Sequence, residues 1–157
     1  LTAFIGGVKP GKLTVKNVKN SFDSSPVFGF RLGVAFIAWL GMEHTVAFSS
    51  DYLFPRNLSA ITSAKGFVYN GNLIFNFPVK KVVPYLTFGA GMIHQYGSKD
   101  LPVGTKLAIN YGGGLKLPKM KGPLGLRFDV RSYAAGILGD KINILEVSGG
   151  LLISFKN

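Results

Sequence analysis

Arg127, Asp129 and Arg131 occupy alternate positions of one short stretch, so on a β-strand all three charges share a face. Lys116 lies one apolar run earlier and Glu146 one run later, and Arg31, Glu43 and Asp51 alternate with apolar neighbours in the same way. Four bases and four acids on one face can do either of two things. They can line a pore or a ligand site, or they can fill a closed core as an ion-pair network in which each buried charge has a partner. Their equal numbers favour the network. Arg127, Asp129 and Arg131 are then expected to reach Glu146 and Lys116 on the flanking strands, with Glu43 and Asp51 facing Arg31.

The other chemistry-bearing residues are few. His44 and His94 are the only histidines. Acyl-transfer chemistry needs a histidine beside a serine and an orienting acid. Ser98 is near His94 in sequence, but no acid shares the face of His94. Both fall on the apolar face, near strand ends by this reading, where an amphipathic ring suits the head-group level of a bilayer. Close carboxylate pairs for glycoside hydrolysis are no better supported, since arginines neighbour the acids. The chain has no cysteine, and no histidine pair stands at ligand spacing, so neither a disulfide nor a metal site is expected. Gly89 and Gly91, and Gly112 and Gly114, could suggest a phosphate loop, but no helical period follows either pair. They read instead as room inside a crowded strand wall. The expectation is a protein without enzymatic activity and without a cofactor.

The elements that carry these residues are strands. The 157 residues are 47% apolar and 13% aromatic but only 16% charged, with 21 glycines. Aromatic content excludes a disordered chain, and the longest apolar stretch, residues 34–42, is far short of a membrane-spanning helix. Turn signals divide the chain into eight apolar-rich runs: 2–8, 27–40, 42–54, 65–77, 83–96, 106–117, 124–133 and 143–155. Short connections at Gly41, 77–82 and 118–123 alternate with longer polar ones, and nothing marks a second domain within 1–157. That alternation is the pattern of an up-and-down barrel in an outer membrane.

In each assignable run the large apolar residues share one parity. Leu124, Leu126, Phe128 and Val130 oppose Gly125, Arg127, Asp129 and Arg131; Phe67, Tyr69, Leu73 and Phe75 oppose Val68, Asn70, Asn72 and Ile74. By the same parity Trp39, Tyr85 and Tyr133 point inward, as do the apolar residues Ile37, Val68, Ile74 and Leu152. A soluble lipocalin-like barrel would crowd the aromatics into its interior. Eight strands leave an interior only just wide enough for small side chains, so the aromatics belong outside, in lipid. The formal charge of +11 raises the question of nucleic acid. Most lysines lie in connections and strand ends, which argues against a nucleic-acid groove and for anionic lipid head groups. Lys9, Lys12, Lys16 and Lys19 in the first long connection are candidates for contacting lipopolysaccharide or an envelope protein, or form a solvated loop.

Several segments carry a family likeness. Gly112-Gly113-Gly114, Leu126-Arg127-Phe128-Asp129-Val130-Arg131 and Leu145-Glu146-Val147-Ser148-Gly149-Gly150-Leu151 look like the last three strands of small outer-membrane barrels. Pro84-Tyr85-Leu86-Thr87-Phe88-Gly89-Ala90-Gly91 resembles the fifth strand. The chain is thus similar to the OmpA/OmpX-like barrels, with the OmpW-like group as a nearby relative. The resemblance covers the second half well and the first half by pattern only. It implies an all-β, eight-stranded antiparallel transmembrane barrel in a bacterial outer membrane, with both termini periplasmic. Such barrels commonly end on an aromatic residue, whereas here Phe155 is followed by Lys156 and Asn157. The expected role is structural or recognition-based, with a charge-plugged interior. The alternative is a narrow OmpW-like channel for small or hydrophobic solutes.

Overall fold

A computed structural model describes residues 1–10, 13–15, 18–20, 24–50, 64–97, 105–136 and 142–155. Eight strands close into an antiparallel barrel: β1 (Thr2–Pro10), β4 (Ser25–Ala35), β5 (Leu40–Ser49), β6 (Ala64–Asn76), β7 (Val83–Gly97), β8 (Thr105–Lys121), β9 (Leu124–Ala135) and β10 (Ile142–Ile153). Each barrel strand pairs with its sequence neighbour in the barrel, and β1 closes the wall against β10, with Ala3 opposite Leu151. Within the first long connection, β2 (Leu13–Val15) and β3 (Val18–Asn20) pair as a separate hairpin. That hairpin falls in a segment whose sequence reads as loop.

Side-chain alternation sorts the wall into two surfaces. On β9, Phe128 and Val130 are 52% and 50% exposed, while Asp129 and Arg131 between them are 2% and 0% exposed. Ile5, Phe30, Leu86, Phe88, Leu107, Tyr111, Val147 and Leu151 continue the exposed apolar surface round the wall. In water such a surface would be a severe aggregation hazard, whereas a bilayer accepts it. A closed barrel also satisfies its backbone hydrogen bonds internally, as a hydrocarbon environment demands.

The first short turn departs from the sequence reading. β4 ends at Ala35 and the chain reverses over residues 36–39, where the Phe36 and Ile37 amides donate to the Leu40 carbonyl at 3.0 and 3.1 Å. Gly41, expected as the turn, lies inside β5. Ile37 and Trp39, expected inside, are 47% and 54% exposed, and Trp39 stacks on the outward Phe75 with centroids 6.5 Å apart. A turn made of apolar residues carries no polar signal, and at a membrane rim it needs none.

Candidate functional site

Six inward side chains from four strands meet in the lumen. Arg31 comes from β4, Glu43 from β5, Arg127, Asp129 and Arg131 from β9, and Glu146 from β10; all are at most 2% exposed. Asp129 is the hub: it accepts from Arg31 Nη1 at 3.1 Å, Arg127 Nε at 3.0 Å and Arg131 Nη2 at 3.0 Å. Glu43 reaches across to β9, accepting from Arg127 and, at 2.6 Å, from Arg131 Nη2. Glu146 accepts from Arg31, from the Tyr133 hydroxyl at 2.6 Å and from Ser148 at 2.8 Å. Tyr85 donates to Asp129 and accepts from Arg127 Nε at 3.0 Å. Three guanidinium groups therefore face three carboxylates, and each carboxylate has at least two donors, the condition under which buried charges persist.

The partners differ from those expected along neighbouring strands. Arg31 turns to Asp129 and Glu146, while Glu43 serves Arg127 and Arg131. In so narrow a barrel a long side chain reaches the opposite wall as easily as the adjacent strand. Lys116 is not an ion-pair member among the described residues. It is directly opposite Arg127, a like charge, and its Nζ instead donates to Asn76 Oδ1 at 2.8 Å and sits 4.6 Å from the centroid of the Tyr85 ring. Asp51 lies outside the described residues. So do Lys12 and Lys16, while Lys9 is exposed on β1 and Lys19 belongs to the β3 backbone.

A second layer was missed by the sequence reading. Val8, Val27, Ala47, Val68, Ile93, Ala108, Ala135 and Ile144, one from each barrel strand, belong to a single buried apolar cluster with Phe4 and Tyr133. They lie toward the long-connection end, beyond the charges. Singly, each is an unremarkable small or branched residue on a polar parity, so only closure of the barrel makes them a ring. At the opposite end, a cavity of about 550 Å³ opens between the short turns and stops at Arg31, Glu43 and Arg127. Ile74 and Leu152 line it, Val68 is in the apolar ring, and Ile37 is outside, so the supposed apolar path is not continuous.

Both histidines are on the outer face. His44 lies mid-strand on β5, opposite Leu32 and Gly71 rather than at a strand end, and its Nδ1 is 2.9 Å from the Tyr69 hydroxyl. His94 Nδ1 is 2.6 Å from Thr105 Oγ1, and its ring stacks on Tyr96. Among the described residues neither histidine is hydrogen-bonded to a carboxylate or a serine hydroxyl.

No family model matches the chain, and no curated protein is significantly similar to it in sequence. Solved structures are similar in fold. Neisserial surface protein A superposes with a TM-score of 0.71 at 18% identity, covering 98% of this chain and 95% of that one. This chain has the small outer-membrane barrel fold. The outer membrane enzyme PagL gives 0.68 at 12% identity, covering 99% and 100% of the two chains. The outer membrane protein OprG from Pseudomonas aeruginosa gives 0.60 at 10%, covering 98% and 96%. Since these neighbours include an enzyme, the likeness assigns architecture and leaves activity to be argued from the lumen and surface.

Proposed function

We propose that the protein is a non-enzymatic integral component of a bacterial outer membrane, with a lumen closed in two layers and a recognition role carried by its long connections. The observation that carries this reading is the neutral six-charge network beneath the eight-residue apolar ring. A pore needs a continuous wet path. Here an ion would have to part mutually paired charges and then pass a belt of apolar side chains. Among the described residues neither histidine stands beside the nucleophile and acid that acyl transfer requires, so the geometry offers no support for a catalytic assignment.

With both termini at the periplasmic side, the long connections face the exterior. Lys9, Lys12, Lys16 and Lys19 then meet the anionic head groups of lipopolysaccharide or an acidic envelope partner. Proteolysis of intact cells is expected to spare Lys80–Lys81 and Lys119–Lys121; cleavage there from outside inverts the topology. Neutralising the four loop lysines together is expected to weaken lipopolysaccharide binding, and unchanged lipid and partner binding removes that role.

The rival reading, a narrow channel, draws on the cavity at the short-turn end. Planar bilayer recording separates the two. The closed reading expects no large, steady conductance, with brief flickering in Arg31→Ala or Arg127→Ala as the lower layer loosens. A large, steady conductance of the unmodified protein establishes the channel instead.

A further inference from the structure

The cavity between the short turns has an unbalanced charge. Arg31, Glu43, Arg127 and Lys116 all line it. The two arginines are matched by the carboxylates of the network, Arg31 by Asp129 and Glu146, and Arg127 by Glu43 and Asp129. Lys116 is left over. Its only described polar side-chain partner is the neutral Asn76 Oδ1, and an ammonium carries three donors, so one such bond leaves two for another acceptor. With Oδ1 facing the lysine, the Nδ2 end of Asn76 supplies a further donor. Arg31 adds an independent sign: the residue is 1% exposed, it lines the cavity, and its Nε has no hydrogen-bond partner among the described residues. Buried donors in proteins are satisfied as a rule, so an unpartnered donor on a residue that lines the same cavity as the unmatched cation points the same way.

The remaining lining sets the shape of that acceptor. Ile74, Pro118 and Leu152 supply apolar surface around the polar groups. A volume of about 550 Å³ lies in the range of small-molecule sites, which combine a mostly apolar wall with a few converging polar groups. We propose that this short-turn cavity is a binding site for a small organic anion, its anionic group held by Lys116 and Asn76 and its apolar body against Ile74 and Leu152. The site goes beyond the closed-lumen reading and does not depend on it. A ligand could enter and leave by the same mouth, with nothing crossing the barrel.

Titration of the nanodisc-embedded, isotope-labelled protein with hexanoate tests the proposal, with hexanol and hexylammonium as probes of equal chain length. Hexanoate is expected to give saturable shifts centred on the Asn76 and Lys116 amides, and the other two are expected not to. Lys116→Gln is expected to weaken hexanoate binding at least fivefold. Asn76→Asp keeps the lysine but places a carboxylate against it, and is expected to weaken binding comparably; it decides the matter if Lys116→Gln does not fold. Equal saturable shifts with hexylammonium or hexanol overturn the assignment, as does unchanged hexanoate affinity in a folded variant. Single-channel recording on the same samples reports lumen closure separately, so failure of one reading leaves the other standing.

Discussion

The two arcs of the barrel wall fill the same narrow lumen in opposite ways. On the arc β9–β10–β1–β4–β5 the inward residues include three arginines and three carboxylates, each held by partners from other strands. On the arc β6–β7–β8 four buried inward residues, Asn70, Asn72, Thr87 and Asn110, have no hydrogen-bond partner for their terminal atoms among the described residues, although Tyr85 on the same arc joins the network and Lys116 bonds Asn76. The difference follows from what burial costs. A lone ion deep in a low-dielectric interior is costly, so the six central charges come as a matched set, and the spare Lys116 lies out at the short-turn cavity. A neutral amide costs far less, so it can be placed where space rather than partnership decides. Glycines on the neighbouring strands supply that space: a Cβ at Gly89 would clash with Asn72, one at Gly91 with Asn70, and one at Gly114 would stand 2.6 Å from the Tyr85 hydroxyl.

The largest expected effect is on the charged arc. Arg127→Ala strips Glu43 of one of its two guanidinium partners and Asp129 of one of three. Leaving buried carboxylates short of partners is expected to cost about 3–5 kcal/mol, measured as a fall in the urea midpoint of the barrel in lipid vesicles. Replacing the pair together, Arg127→Met with Glu43→Met, keeps the remaining four charges balanced and is expected to lose less than Arg127→Ala alone. A double variant as unstable as the sum of its singles contradicts the view that matching, more than the charges themselves, holds this arc together.

A smaller effect is expected where glycine makes room on the neutral arc. Gly89→Ala drives a methyl group into the Gly71 carbonyl and Asn72, and overpacking of this kind typically costs about 1–3 kcal/mol. Gly71→Ala is the internal control. Its added methyl meets only the His44 ring, at 3.9 Å, and the change is expected to stay within about 0.5 kcal/mol. The same unfolding assay reads both. Equal losses at the two positions would mean that the lumen-side glycines matter for strand flexibility and not for space.

The contrast between the arcs was only partly legible in the sequence. Alternation placed Arg127, Asp129 and Arg131 on one face and Asn70 and Asn72 on another, because strand parity depends on nearest neighbours alone. Which carboxylate each arginine meets depends on the distance across the closed lumen, which no single strand encodes. That is why the sequence alone pairs Glu43 with Arg31, whereas in the barrel it serves Arg127 and Arg131. The apolar ring was hidden for the same reason: Val8, Ala47 and Ile144 become neighbours only when the barrel closes. The turn at residues 36–39 is not legible in the sequence because it lacks the polar residues that mark turns in water. The spare charge on Lys116 needed both pieces of information, its face and its partner.

A near-neutral substitution on the amide arc decides whether the two arcs truly differ. Asn72 lies on β6 opposite Glu43, 2% exposed, with neither its Oδ1 nor its Nδ2 bonded among the described residues. If the amide is held by space alone, Asn72→Leu trades a polar side chain for an apolar one of roughly similar length and breaks no hydrogen bond. Replacing a buried, unpartnered polar group is expected to be close to neutral, within about 1 kcal/mol of the parent. Asn110→Leu on β8 is expected to behave alike. The check is the urea midpoint of each variant beside that of Arg127→Ala. A loss of about 3 kcal/mol or more at Asn72 would place this amide in an energetically coupled network like that of the charged arc, and a double-mutant cycle with Glu43→Gln would then locate the coupling across the β5–β6 pair.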